Sequence, residues 1–205
     1  MQDKSLDVLS LNCNGVALDF TKADLEFSDP GLGVPVWAKK NNKSVRETLA
    51  HPKYAKLSAL CETYRAELDK PLGEFLLGLM ECGDEFYRRF LNSDGEAEFT
   101  VFSLADSTLA KVRGLYLYEV KGEVVYIGRC LDSFAKRINQ GYGKIHPKNC
   151  YIDGQRTNCR LNALVSANQG DVALYVCPMS SEQDIIRLET ALLKIYRPGW
   201  NKQFA

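Results

Sequence analysis

The 205 residues are enough for one large domain or two small ones, and 45% apolar with 25% charged residues predicts a packed core rather than disorder. Basic and acidic residues number 26 each, so the total charge does not favour a nucleic-acid partner, and no run of about 18 apolar residues suits a membrane helix. Seven cysteines without a C-x-x-C pair, and an N-terminus that lacks a secretory pattern, predict reduced thiols, a cytoplasmic location and no membrane partner.

The N-terminal part of the chain mixes two kinds of pattern. The runs LDVLSLN and GVALDF are β-like and precede the turn-forming segment DPGLGVP. From residue 44 to 93, apolar residues recur at three- and four-residue intervals, which predicts helices in SVRETLAH, KYAKLSALCETYRAEL and PLGEFLLGLMECGDEFYRRFL. The turn-rich NSDGEAE then marks a boundary, so we expect a mainly helical region over 1–98 and a second domain over 99–205.

The second domain has a different order of elements. Residues 112–120 and 123–128 are predicted strands, followed by a helix in DSFAKRINQ and a loop in GYGKIHPKNCYIDGQ. A helix in TNCRLNALVSA, a strand in DVALYVCPM and a long helix in SSEQDIIRLETALLKIY follow. The order β-β-α-α-β-α predicts a small α/β or α+β domain.

The first two of these strands form a hairpin that carries Tyr116 and Tyr126. A two-residue turn at Lys121-Gly122 would place the two tyrosines on opposite faces, because side chains alternate along a strand. A three-residue turn, Val120-Lys121-Gly122, puts glycine where a left-handed residue is needed and pairs Tyr116 with Tyr126 on one face. We favour the three-residue turn.

Glu189 stands out on the final predicted helix. It lies four residues after Ile185 and four before Leu193, among the apolar side chains of the helix. An unpaired carboxylate in such a place is costly, so it requires a cation. The sequence leaves two choices open, a bound metal ion or a salt bridge to a neighbouring arginine.

Several of these features occur together in a known family. The chain resembles the GIY-YIG nuclease superfamily over about residues 112–203, most closely the stand-alone restriction endonucleases and the related phage endonuclease. The elements that carry the resemblance are Gly114-Leu115-Tyr116, Tyr126-Ile127-Gly128, the helical Arg137, Glu189 on the late helix, and PGWN near the C-terminus. It implies an α+β fold of the sandwich type, with a small three-stranded antiparallel sheet flanked by helices.

The resemblance also implies a role for each matching residue. Tyr116 would be the general base or would position the attacking water, and Tyr126 would support the water or the phosphate. Arg137 would hold the phosphate, and Glu189 would bind Mg²⁺ or Mn²⁺. Asn201 would close the site.

Two departures from the family pattern affect the helix after the hairpin. Arg137 follows Gly128 by nine residues instead of the usual eight. The position four residues after the arginine, often His or Tyr in the family, is Gly141 here. We therefore take Tyr142 as the first choice for an auxiliary group and His146 as the second, with Lys144 as a further candidate.

A basic segment over residues 129–160, with seven cations against two acids, suits phosphate contacts. Two asparagines on the predicted helix would read a base or brace the site. The predicted DNA-binding residues are Arg129, Lys144, Lys148, Arg156, Asn158, Arg160 and Asn162. The helical region, with its basic run KKNNKSVRE, would serve specificity, DNA binding or dimerisation.

The predicted function is metal-dependent hydrolysis of DNA phosphodiester bonds by a restriction or anti-phage endonuclease. A homodimer is expected if the target is palindromic. Two alternatives stay open: a non-catalytic nucleic-acid-binding regulator on the same fold, and a toxin-like effector that cleaves RNA.

Overall fold

The computed structural model describes residues 7–28, 34–40 and 43–202. Most of the turn-forming segment DPGLGVP lies outside these residues, as do the two asparagines of KKNNKSVRE. The chain forms two compact units, and neither is a single run of sequence. The first combines the described residues up to Ser28 with Val101–Lys144 and the chain from Leu164, and the second combines Asp29–Thr100 with Ile145–Ala163.

Seven strands occur in the described residues, all of them in the first unit. They are β1 (Val8–Cys13), β2 (Val16–Ala23), β3 (Leu25–Ser28), β4 (Val101–Leu104), β5 (Gly114–Val120), β6 (Glu123–Cys130) and β7 (Val172–Pro178). Five of them form one antiparallel sheet in the order β1-β2-β7-β5-β6, and β3 pairs with β4 in a second sheet.

The prediction of a three-stranded sheet preceded by a mainly helical region is therefore wrong. The β-like runs at the start of the chain form a hairpin, β1–β2, around Asn14 and Gly15, which both have positive φ as a two-residue turn requires. Strand β2 then pairs with β7 through Thr21 and Val176. This pairing between distant segments extends the sheet from three strands to five.

Six α-helices and one π-helix occur in the described residues, beside several 3₁₀ segments. They are α1 (Val45–Leu49), α2 (Ala55–Ser58), α3 (Leu72–Glu81), the π-helix Ala135–Tyr142, α4 (Pro147–Cys150), α5 (Arg156–Ala167) and α6 (Glu182–Tyr196). In the first unit, α6 buries Ile185, Leu188 and Leu192 in the same core cluster as Leu117 of β5 and Ile127 of β6. This packing fixes the polar residues of α6 relative to the hairpin.

The second unit has an aromatic core and short helices. Its core contains Trp37, Tyr54, Phe75 and Phe90, all buried. The long helices predicted for residues 53–91 are broken up: 3₁₀ turns occupy Leu60–Glu67 and Glu85–Phe90. Helix α3 ends just before Gly83, which has a φ of 76°, a conformation that favours glycine and stops a helix.

Candidate active site

The turn of the β5–β6 hairpin differs from the one that we favoured. Val120 pairs with Glu123, so the turn has two residues, Lys121 and Gly122. Both have positive φ, 53° and 87°, as in the type I′ turn that suits the twist of a hairpin. The predicted three-residue turn is therefore wrong.

A β-bulge next to this turn nevertheless brings the tyrosines to one face. Glu119 pairs with Val124 while Tyr118 pairs with Tyr126, so one residue of β6 is skipped between them. The shift places Tyr116 and Tyr126 on the same face, with ring centroids 6.1 Å apart. Tyr118 lies on that face too, 6.2 Å from each of the other two rings.

Gly128 explains why the phenol of Tyr116 can lie where it does. Tyr116 pairs with Gly128 across the hairpin. A Cβ atom built on Gly128 would lie 2.5 Å from Cζ of Tyr116 and 2.8 Å from Cε1 of Tyr126. The glycine therefore leaves room for the Tyr116 ring directly above the strand.

Replacing Gly128 by alanine should destabilise the protein by about 1–3 kcal/mol, because the added methyl group overpacks a buried aromatic site. The Tyr116 phenol would also be displaced. A urea titration measures the free energy of unfolding. Gly170→Ala is the matched control, because a Cβ atom added at Gly170 meets nothing within 4 Å. Equal stability of both variants would contradict this account of Gly128.

The π-helix decides which of the auxiliary candidates reaches Tyr116. Its wide turn is marked by Gly143, whose N–H donates to the carbonyl of Ile138, five residues earlier. Tyr142 ends this helix and is buried, with its hydroxyl 2.9 Å from that of Tyr116. The additional residue in the turn thus brings Tyr142, five residues after Arg137, to the phenol of Tyr116.

The other two auxiliary candidates, His146 and Lys144, are exposed, unlike Tyr142. His146 is exposed and belongs to the second unit, where its Nδ1 accepts a hydrogen bond from the Lys148 N–H at the start of α4. Lys144 is exposed and lies at the end of the first unit's central segment. Of the three candidates, only Tyr142 is bonded to Tyr116 in the described structure.

The electrostatics of the phenols differ from the expectation for a general base. Burial raises the pKa of Tyr116 well above its ordinary value, and Tyr126 and Tyr142 raise it further. Burial is also the main cause that raises the pKa of Tyr126. A base at neutral pH would need the opposite shift. Burial therefore favours the neutral form of Tyr116 and of Tyr126.

Tyr118 is a buried phenol that no predicted role uses. Its side chain is fully buried, and its hydroxyl has no hydrogen-bond partner among the described residues. Its ring lies 6.3 Å from Trp200, beside the other tyrosines of the hairpin face. The sequence shows a third tyrosine here, but nothing in the pattern distinguishes it from the core.

Replacing Tyr118 by phenylalanine should leave the stability unchanged or raise it by about 1 kcal/mol, since an unsatisfied buried hydroxyl is removed while the ring is kept. Thermal unfolding measures the effect. The matched variant Tyr54→Phe removes a hydroxyl that donates to Asp153 at 2.5 Å and should be less stable than wild type. A clear loss of stability in Tyr118→Phe would show that its hydroxyl does have a partner.

Glu189 forms an ion pair with Arg129 of β6, which is the salt bridge that the sequence left open. The Glu189 side chain is only 14% exposed, against 39% for Arg129. Burial raises the pKa of Glu189 above its ordinary value, and the Arg129 guanidinium opposes that shift. Arg137 lowers the pKa of Glu189, and the phenols of Tyr142, Tyr116 and Tyr126 raise the pKa of Arg137. Arg137 is therefore close enough to all four groups to interact with them electrostatically.

Asn201 holds the outer edge of the hairpin. Its Oδ1 accepts from the Ile127 N–H at 2.9 Å, and its Nδ2 donates to the Ile127 carbonyl at 2.8 Å. The Trp200 N–H donates to the carbonyl of Val125 in the same way. Asn201 thus satisfies the N–H and carbonyl groups of Ile127 on an edge strand, and it braces β6 beside Tyr126.

The predicted DNA-binding residues are divided between the two units. Arg129 and Lys144 belong to the first unit, and Lys148, Arg156, Asn158, Arg160 and Asn162 belong to the second. Lys148 is exposed, and Arg156 donates from Nε to Asp94 at 2.6 Å. Nε of Arg160 is buried and has no hydrogen-bond partner among the described residues.

The two asparagines of α5 are buried rather than presented on a surface. Asn162 binds the backbone N–H and carbonyl of Thr100 at 3.1 and 2.8 Å, so both ends of its amide are used within the second unit. Asn158 donates to Gln155 at 3.1 Å. Both amides therefore make contacts within the second unit, and Asn162 braces the backbone there.

The donor set near the hairpin limits what metal could bind. No cluster of three or more His, Cys, Asp or Glu side chains suited to a metal occurs in residues 7–28, 34–40 and 43–202. A single carboxylate is nevertheless compatible with Mg²⁺, which keeps most of its waters and takes further oxygen ligands from substrate phosphates. Glu189 fits such a site if its oxygen is released by Arg129.

The remaining findings concern membrane-spanning helices and similarity to known proteins. In the part of the chain that the structure describes, no helix combines the length and the apolar character that crossing a membrane requires. Comparisons of the chain with protein-family models, with curated proteins and with solved structures find no match.

Proposed function

We propose that the protein is a metal-dependent endonuclease that hydrolyses DNA phosphodiester bonds, as its resemblance to the GIY-YIG nucleases implies. The observation that carries the proposal is the contact of Tyr116 with Tyr126 and Tyr142, within electrostatic reach of Arg137, which in turn acts on the partly buried carboxylate of Glu189. A cytoplasmic restriction or anti-phage enzyme, acting as a dimer on a palindromic site, is the biological setting that fits this activity.

The phenols would orient the attacking water. When the hydroxyl of Tyr116 donates to the oxygen of Tyr142, its own lone pairs remain available to accept a hydrogen bond from a water molecule. Because burial raises the pKa of Tyr116 well above its ordinary value, this phenol is neutral at ordinary pH and holds the water without taking its proton permanently. Tyr126, less buried than Tyr116, would support the same water or the phosphate.

Arg137 would bind the scissile phosphate. It is the exposed cation of the π-helix that acts on all three phenols and on Glu189. A guanidinium can donate two parallel hydrogen bonds to phosphate oxygens and stabilise the charge that develops in the transition state. A divalent ion held by Glu189 would supply further neutralisation of the phosphate charge.

Parallel digests separate this proposal from its alternatives. Supercoiled plasmid, linear duplex DNA and structured RNA are each incubated with the full chain and Mn²⁺, with EDTA as the control. We expect cleavage of DNA that requires the metal. Cleavage of RNA alone would favour the toxin-like effector, and DNA binding without any cleavage would favour the regulator.

A further inference from the structure

Arg129 already pairs with one carboxylate oxygen of Glu189, the proposed metal ligand. Strand β6 and helix α6 are in contact, and the ion pair joins Arg129 Nη1 to Glu189 Oε2 across them. A carboxylate oxygen that accepts from a guanidinium is shielded from a divalent ion by the positive charge of its partner. A divalent ion at this carboxylate would lie beside the guanidinium, so the two cations compete for the same side chain.

The two partners differ in their freedom to move. Glu189 is 14% exposed and is held on a helix whose apolar face is buried, whereas Arg129 is 39% exposed and has a long flexible side chain. Glu189 without any cation would be a buried, uncompensated charge, which is strongly unfavourable. Arg129 is thus the partner that can leave, and it leaves at low cost only when another cation replaces it.

We propose that Arg129 is a resident counter-ion of Glu189, displaced by the metal and then available to a backbone phosphate of the nucleic acid. This inference rests on the proposed function, because it assumes that Glu189 binds the metal. The released guanidinium suits a phosphate, which accepts two hydrogen bonds from it. Binding of metal and of nucleic acid then favour each other, since linkage between two sites is reciprocal.

Mn²⁺ binding without DNA tests the competition directly. The electron paramagnetic resonance signal of free Mn²⁺ is followed during titration of the full chain at about pH 8, where an ordinary carboxylate is ionised. We expect Arg129→Gln to bind Mn²⁺ roughly fivefold to tenfold more tightly than wild type. Arg129→Lys, which keeps a charge, should lie between the two and should fold even if Arg129→Gln does not.

Two variants make the result specific. Glu189→Gln should lose the Mn²⁺ site both in the wild-type chain and in the Arg129→Gln chain. Arg187→Gln removes an exposed arginine of α6 that pairs with Asp184, and its Mn²⁺ affinity should equal that of wild type. If Glu189-dependent binding is present but neither Arg129 variant binds more tightly, the competition is refuted while the proposed function survives. If no variant binds Mn²⁺ through Glu189, both fail.

The transfer to phosphate has a separate readout. Binding of a labelled duplex is measured at several salt concentrations, with Ca²⁺ as an oxygen-preferring ion and with EDTA. The slope of log affinity against log salt concentration reports the number of phosphate contacts. In Ca²⁺, wild type should make one such contact more than Arg129→Gln, which corresponds to a difference of about 0.9 in this slope. In EDTA, the two slopes should be equal. The same difference in both conditions would contradict an exchange driven by the metal.

Discussion

Replacing Glu189 by glutamine should lower metal-dependent DNA cleavage by about a hundredfold or more, because the variant keeps the shape of the side chain but loses the charge that holds the ion. The initial rate of plasmid nicking at saturating Mn²⁺ measures the effect. Asp184→Asn, which removes an exposed carboxylate of the same helix, should cleave at the wild-type rate. Equal rates for Glu189→Gln and wild type would exclude Glu189 as the metal ligand.

The same carboxylate predicts a dependence on pH. Burial raises the pKa of Glu189 above its ordinary value of about 4.5, and Arg129 only partly offsets this. Protonation removes the charge, so cleavage should fall as the pH drops through this raised pKa, at a higher pH than an ordinary glutamate would give. The stability of the fold depends on pH in the opposite direction. Because burial of the charged form is unfavourable, Glu189 contributes most to stability at pH below its unfolded pKa, and this contribution is lost as the pH rises through the raised folded pKa.

Replacing Arg137 by alanine should reduce the cleavage rate by about a hundredfold to a thousandfold, the range found when one donor to a developing charge is removed. Arg137→Lys should recover only part of the rate, since an ammonium cannot donate the paired hydrogen bonds of a guanidinium. Single-turnover cleavage rates measure both variants, and duplex binding is measured in parallel.

The neighbouring cation provides the control for Arg137. Lys136 lies on the same π-helix, is exposed and pairs with Asp132 at 2.8 Å. Lys136→Ala should change the rate less than threefold, because an exposed ion pair contributes little. Equal losses in the two variants would show that only the total charge of the helix matters, and not the position of Arg137.

The sheet shows what local pattern can and cannot establish. The β-like runs at the start of the chain are visible in the sequence, and they do form β1 and β2. Their partner is not visible, because the pairing of Thr21 with Val176 joins segments far apart in sequence. Register and sheet order depend on such tertiary contacts, and a pattern with period two carries no information about them.

The hairpin shows how two local features can compensate. The type I′ turn alone would separate Tyr116 and Tyr126, and the bulge beyond Glu119 brings them back to one face. Lysine at a left-handed position and a skipped residue in a regular strand both run against simple sequence rules. The two tyrosines do lie side by side on one face, as predicted. The predicted turn and the predicted cross-strand pair are both wrong, since Tyr116 pairs with Gly128 and Tyr126 with Tyr118.

The remaining site residues were predictable to different degrees. The unusual position of Glu189 on an apolar helix face identified it as a carboxylate that needs a cation, and its exact partner depends on how α6 lies against β6. Tyr142 was our first choice for the auxiliary group, but its position beside Tyr116 depends on a π-turn, which has no reliable sequence signal. Asn162 and Asn201 read as surface or active-site amides, yet both brace backbone groups that only the fold brings to them.

Conversion of supercoiled plasmid by the purified chain, with and without Mn²⁺, is the decisive test of metal-dependent cleavage through Glu189. We expect nicked and linear products with the metal, none with EDTA, and at least about a hundredfold less product with Glu189→Gln at equal concentration. Intact plasmid in the presence of folded wild-type protein and Mn²⁺, across a panel of plasmids of different sequence, would contradict it.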